Sequence, residues 1–160
     1  MSLHPLKIIT KIEDGIILLA TISVVTIISV SAAARYFFSY NLAGAEEILG
    51  ISGAWMFFSG AVRASRQREQ ISANMISSFI KSPRVNLFFA TLRNLLSVVI
   101  CAIFAFWSIE FLVWEIHNGG HTPALGIPIF IGKLSLALSC FGMTAYALRD
   151  LISDIRNYKE

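Results

Sequence analysis

Residues 15–34 form an unbroken run of twenty residues without a charged side chain. At 1.5 Å rise per residue such a helix spans roughly 30 Å, the thickness of a hydrocarbon core. A run of this kind is either buried in a large soluble core or placed in lipid, and composition decides between the two. The chain has 160 residues, of which 56% are apolar and only 14% charged, against about 25% charged in an ordinary soluble domain. There is too little polar surface to cover a soluble domain of this length. A soluble globular protein, a disordered tail and a coiled coil are all excluded. The expected class is an all-α integral membrane protein.

Three further apolar runs follow, at residues 48–62, 94–109 and 127–148. The second is too short to span alone and extends to include Glu46, Glu47 and Arg63. The third belongs to a longer helix that starts near Pro83. Pro128 suits the first turn of the fourth. The expected transmembrane helices are residues 12–38, 44–66, 83–116 and 127–150, in one membrane domain. The first run superficially resembles a signal peptide, with Lys7 and Lys11 before it and Ala32, Ala33 and Ala34 at its end. It is longer than a typical signal core, and Glu13 and Asp14 stand where positive charge is needed.

Four spans place both termini on one side. That side carries Lys7 and Lys11, Arg63, Arg66, Arg68, Lys81 and Arg84 in the middle connection, and Arg149, Arg156 and Lys159 in the tail. These are ten basic residues against Arg35 alone on the opposite side. The positive-inside rule then makes both termini cytoplasmic. The net charge of +3 therefore reflects topology, and no nucleic-acid partner is expected.

The middle connection is itself patterned. Ile71, Met75, Ile76, Phe79 and Ile80 recur at helical spacing over residues 70–81, flanked by basic residues. Ten or so amphipathic residues cannot span, but they can lie along the membrane surface. The segment is expected to be a short interfacial helix, serving either as a plain connector or as a docking arm for a partner.

Motifs for catalysis are absent: there is no Gly-x-Ser-x-Gly, no Gly-rich phosphate loop and no His-Glu-x-x-His. Cys101 and Cys140 lie inside apolar runs and read as small apolar residues. His117 and His121 have helical spacing, but Gly119 and Gly120 between them break the helix. No cofactor, metal site or enzymatic activity is expected.

Charges inside or beside the spans are more informative, because a charge in lipid needs a partner, a wet cavity or a protein interface. Arg35, Glu46, Glu47, Glu110 and Lys133 all fall near the outer ends of the helices, where two positive and three negative groups form a candidate buried network or interface. Glu46 and Glu47 also suit the positive N-terminus of the second helix. On that helix Gly50, Gly53, Ala54, Gly60 and Ala64 form small-residue pairs. Such a face packs either within the chain or against a second polypeptide.

Several short stretches, in order along nearly the whole chain, resemble the small membrane subunit (DctQ type) of tripartite ATP-independent periplasmic, or TRAP, transporters. Arg35-Tyr36 ends the first helix, as an Arg-Tyr pair does in that family. Glu46-Glu47 resembles its aromatic-x-Glu-Glu motif. Gly60-Ala61, Arg63, Arg66 and Ile71 resemble its Gly-Ala, Arg and His-Ile stretch. Residues 122–128, Thr-Pro-Ala-Leu-Gly-Ile-Pro, resemble its Thr-x-Ala-Leu-x-Ile-Pro. Two positions depart: Gly44 stands where the family usually has Trp, and Gln70 where it usually has His. The resemblance implies a scaffold subunit in the bacterial inner membrane. It would pair with a large multi-helix membrane subunit holding the substrate and Na⁺ sites, and a periplasmic substrate-binding protein would deliver an organic acid of the sialic acid or C4-dicarboxylate type. The competing reading is a self-sufficient homo-oligomeric channel or small transporter. Its polar stripe would have to come from Thr21, Ser23, Thr26, Ser29 and Ser31.

Overall fold

The computed structural model describes residues 4–67 and 83–158. It contains four helices: α1 (His4–Phe38), α2 (Ala45–Gln67), α3 (Pro83–Asn118) and α4 (Phe130–Tyr158). Three of them, over Thr10–Phe38, Thr91–Asn118 and Phe130–Arg156, are long and apolar enough to cross a membrane. Helix α2 has 23 residues, roughly 34 Å of rise, but is more polar. The expected interfacial helix at 70–81, with Ile71, Met75, Ile76, Phe79 and Ile80, and the departure at Gln70, lie outside the described residues.

Two helix boundaries differ from the sequence reading. Helix α1 starts at His4, not near residue 12, because nothing between Pro5, which is tolerated in a first turn, and Gly15 interrupts a helix. Helix α4 starts at Phe130, two residues after Pro128. Pro128 is instead held in the preceding loop, bridged to His121. The Thr122 N–H donates to Ile127 O at 2.9 Å and the Ile129 N–H to Gly120 O at 3.0 Å. That fold-back keeps the backbone of 127–129 out of the helix.

The main packing pairs are α1 with α2, α2 with α4, and α4 with α3. The helices therefore form a row in the order α1–α2–α4–α3, with α2 and α4 in the middle. The more polar helix thus takes an interior place, while apolar α1 and α3 lie at the edges with long lipid-compatible faces, such as Leu19 and Trp107.

The α3–α4 seam follows a seven-residue repeat. Asn94, Cys101, Ser108 and Glu115 on α3 face Asp154, Ala147, Cys140 and Lys133 on α4, in antiparallel order. The Asn94 amide donates to Asp154 at 2.6 Å, buried Ser108 and Cys140 occupy the next level, and Glu115 meets Lys133. A strict seven-residue repeat keeps one stripe facing the partner along left-handed packed helices. Between α2 and α4 the direction is parallel. Trp55 Nε1 donates to Ile131 O at 3.2 Å, and a Cβ built at Gly142 would lie 3.0 Å from Val62. Buried Ser59 and Ser65 on α2, and Ser135 and Ser139 on α4, provide the small polar surfaces that membrane helices use at close range.

Candidate functional site: polar staples at both ends of the helix row

At the end that carries the short loops, Glu47 sits in the first turn of α2. Its carboxylate accepts the backbone N–H of Ala124 at 2.7 Å and of Leu125 at 2.9 Å, one on each oxygen. The gripped loop is itself compact: the Ile127 N–H donates to Thr122 Oγ1 at 3.0 Å and the Gly126 N–H to Thr122 O at 3.0 Å. A carboxylate suits this place because it accepts several bonds at once and lies near the positive helix N-terminus. The same clamp accounts for Gly44. Its φ is +86°, and a Cβ there would fall 2.5 Å from the Leu125 side chain. Any other L-residue meets backbone strain there, and its Cβ would have to displace the exposed Leu125 side chain.

Lys133, in the first turn of α4, pairs with the buried Glu115 of α3. Its Nζ also lies 3.7 Å from the Phe111 ring centroid and 5.5 Å from that of Trp114. Those two rings stack with centroids 6.5 Å apart. The ammonium is thus held by a carboxylate and two aromatic rings, a combination that offsets its loss of water. Gly120 covers the pair, because a Cβ there would collide with the Glu115 carboxylate. Glu115 was not among the candidates read from the sequence. The signal was nevertheless there. Glu115 stands three residues before the end of α3 and Lys133 three after the start of α4, so an antiparallel hairpin brings them level.

The five charges expected to form one layer are placed differently from one another. Glu47 is engaged with the loop and Lys133 with Glu115. Arg35, Glu46 and Glu110 are exposed and make no ion pair among the described residues. On α2, a Cβ built at Gly50, Gly53 or Gly60 would meet nothing within 4 Å. Ala54 and Ala64 are half-buried. The close approach of α2 runs through Val62 and Gly142 instead.

The opposite end carries a second cluster, which sequence reasoning missed. Arg66 near the end of α2 binds Glu13 at 2.8 Å and Asp14 at 2.9 Å on α1, and its guanidinium reaches Thr10 O at 3.4 Å. Arg63 lies 3.6 Å from Asp14. From α4, the Tyr146 hydroxyl donates to Glu13 at 3.2 Å and Arg149 donates to Arg66 O at 3.1 Å. Arg66 and Glu13 are only 13% and 18% exposed, so the fork geometry of the guanidinium works in a partly dry site. The cluster ties three helices. In sequence Arg66 stands 53 and 52 positions from Glu13 and Asp14, and each side had a sufficient local reading, Glu13 and Asp14 as evidence against a signal peptide and Arg63 and Arg66 as topology signals.

These polar groups all fasten backbone to backbone or helix to helix. Among the described residues, no three of His, Cys, Asp and Glu gather where they could hold a metal ion. Cys101 and Cys140 carry free thiols. The arrangement can fix α2, α3 and α4 through the loop at one end and α1, α2 and α4 at the other.

No curated protein matches the chain. A family model, described as tripartite ATP-independent periplasmic transporters, DctQ component, matches residues 24–157. The match covers α2, α3, nearly all of α4 and the last half of α1, including the Glu47 clamp and the Lys133–Glu115 pair. With four helices, three of them able to span a membrane, the chain belongs to the DctQ family, the small membrane component of TRAP transporters.

Proposed function

We propose that this chain is a non-catalytic scaffold subunit. It would pair with the large membrane subunit of a Na⁺-coupled TRAP transporter, which imports an organic acid of the sialic acid or C4-dicarboxylate type delivered by a periplasmic substrate-binding protein. The observation that carries this reading is the fastening of the helix row at both ends. Glu47 and Lys133 hold one end and Arg66 the other, which suits a stationary part against which another part moves. Family membership supplies the kind of partner, since this family works with a large membrane subunit and a binding protein. All four helices, α2 included, are taken to span the bacterial inner membrane, with both termini cytoplasmic. The ten-to-one distribution of basic residues supports that orientation. The two short loops at 39–44 and 119–129 would then be the surface offered to the periplasmic side.

The test is uptake in membrane vesicles carrying the large subunit and binding protein, with and without this chain and with and without a Na⁺ gradient. The reading expects uptake only when all parts and Na⁺ are present. Ion conduction by the purified chain alone in liposomes would contradict it. Of the helix-one hydroxyls such a channel would need, Thr21 donates to its own helix at Ile17 O, 2.7 Å away.

A further inference from the structure

Glu110 lies on α3 outside the seven-residue repeat of Asn94, Cys101, Ser108 and Glu115 that meets α4. It is exposed, makes no ion pair among the described residues, and lies within a stretch long and apolar enough to span. It stands eight residues before the end of α3, roughly 12 Å of helix, so its carboxylate does not reach water simply by being terminal. The other acid of this half-helix, Glu115, has the only nearby described cation, Lys133, as its partner. Glu110 therefore remains an uncompensated negative charge on an apolar surface, which lipid tolerates poorly.

The surroundings have the form of a seat. One groove beside Glu110 is lined by Phe104, Trp107, Phe111 and Leu136, and a second by Phe106, Ile109, Val113 and His117, with Glu110 and Trp114 common to both. The carboxylate thus stands on a ridge between two apolar grooves, one turn from an exposed tryptophan. Aromatic grooves around one desolvated charge are typical of the energetic centre of an interface. Charge complementarity selects the occupant. We infer that this face of α3 docks a membrane helix of the large subunit that presents a Lys or Arg to Glu110 at matching depth. The inference rests on the scaffold reading and adds the contacting face and the chemistry of the contact. Arginine fits best, because its fork can take both carboxylate oxygens while its plane lies on an indole.

The experiment uses the full chain co-expressed with the large subunit, carrying a photo-crosslinking residue at Val113 or, as control, at Leu19 on the far edge of the row. Glu110→Gln and Glu110→Lys are compared by the amount of large subunit retained on purification in mild detergent. Wild-type chain is expected to crosslink to the large subunit from 113 and not from 19. Retention should fall several-fold for Glu110→Gln and about tenfold or more for Glu110→Lys, since reversal adds repulsion to the lost pair. Because Glu110 is exposed, both variants should melt as the wild-type subunit does. If Glu110→Lys fails to fold, the Gln variant and the crosslink carry the test. Unchanged retention in either variant, or crosslinks from 113 to lipid alone, overturns the docking face while leaving the pairing of subunits intact. Failure of the wild-type chain to retain any large subunit overturns the scaffold reading itself, and this inference with it.

Discussion

Glu47 binds backbone, not another charge, and that determines what its loss does. A glutamine keeps one acceptor oxygen and cannot satisfy both Ala124 and Leu125 N–H groups. Amide exchange at 124 and 125 should therefore quicken moderately in Glu47→Gln and strongly in Glu47→Ala, with little change inside the helices. Equal protection in all three proteins would show that the loop holds without the clamp. Lys133 behaves differently, because its partner is buried. Lys133→Met leaves the Glu115 carboxylate uncompensated and should lower stability by about 2–4 kcal/mol. The double variant Lys133→Met with Glu115→Leu should recover much of that loss, since a buried pair is often replaceable by apolar groups of similar size. Thermal unfolding of the four proteins measures the coupling. Strict additivity would contradict the pair.

At the scale of elements, glycine separates the contacts that are in use from those that are open. Gly142 lies against Val62, so Gly142→Leu should push α4 from α2 and destabilise the isolated chain by about 1–3 kcal/mol. Gly53→Leu meets open space and should leave the melting temperature of the isolated chain nearly unchanged. A large drop for Gly53→Leu, or none for Gly142→Leu, would contradict the packing described. Arg66 is the corresponding residue for α1: Arg66→Met removes the pairs to Glu13 and Asp14 and should detach the early turns of α1 first. Proteolysis or exchange near Thr10–Asp14 reads this directly, and protection equal to wild type would count against it.

The same elements show what a single chain reveals of itself. The apolar runs and short loops located all four helices, because a hydrocarbon span needs a fixed number of apolar residues and each run stops at polar or Gly-containing segments. Helix starts were harder to place. Pro128 is compatible with a first helical turn, and only the hydrogen bonds of the 120–129 loop exclude it. Glu47, Lys133 and Glu110 could be singled out individually, since charge near lipid demands an explanation. The loop backbone that Glu47 binds could not, because that contact depends on which elements lie beside which, whereas the pairing of Lys133 with Glu115 was open to a hairpin argument. The Arg66 cluster was hidden for the same reason. Glu13 and Asp14 become its counter-charges only once α1 and α2 lie antiparallel.

For the whole molecule, the row α1–α2–α4–α3 is a thin layer of helices with its more polar members inside and apolar edges outside. Polar fastenings at the two ends resist sliding of one helix past another. Such a layer can widen and steady a larger membrane body. It offers two short loops at one end and two long apolar edges, and the α3 edge carries Glu110, which has no ion-pair partner among the described residues.

The proposed function makes this chain a fixed partner within a larger membrane complex. The most direct measurement is the intact mass of the complex isolated in mild detergent from membranes that also contain the large subunit. A one-to-one assembly of this chain with a much larger multi-span protein is expected. A homo-oligomer or a lone monomer that conducts ions in liposomes would contradict it.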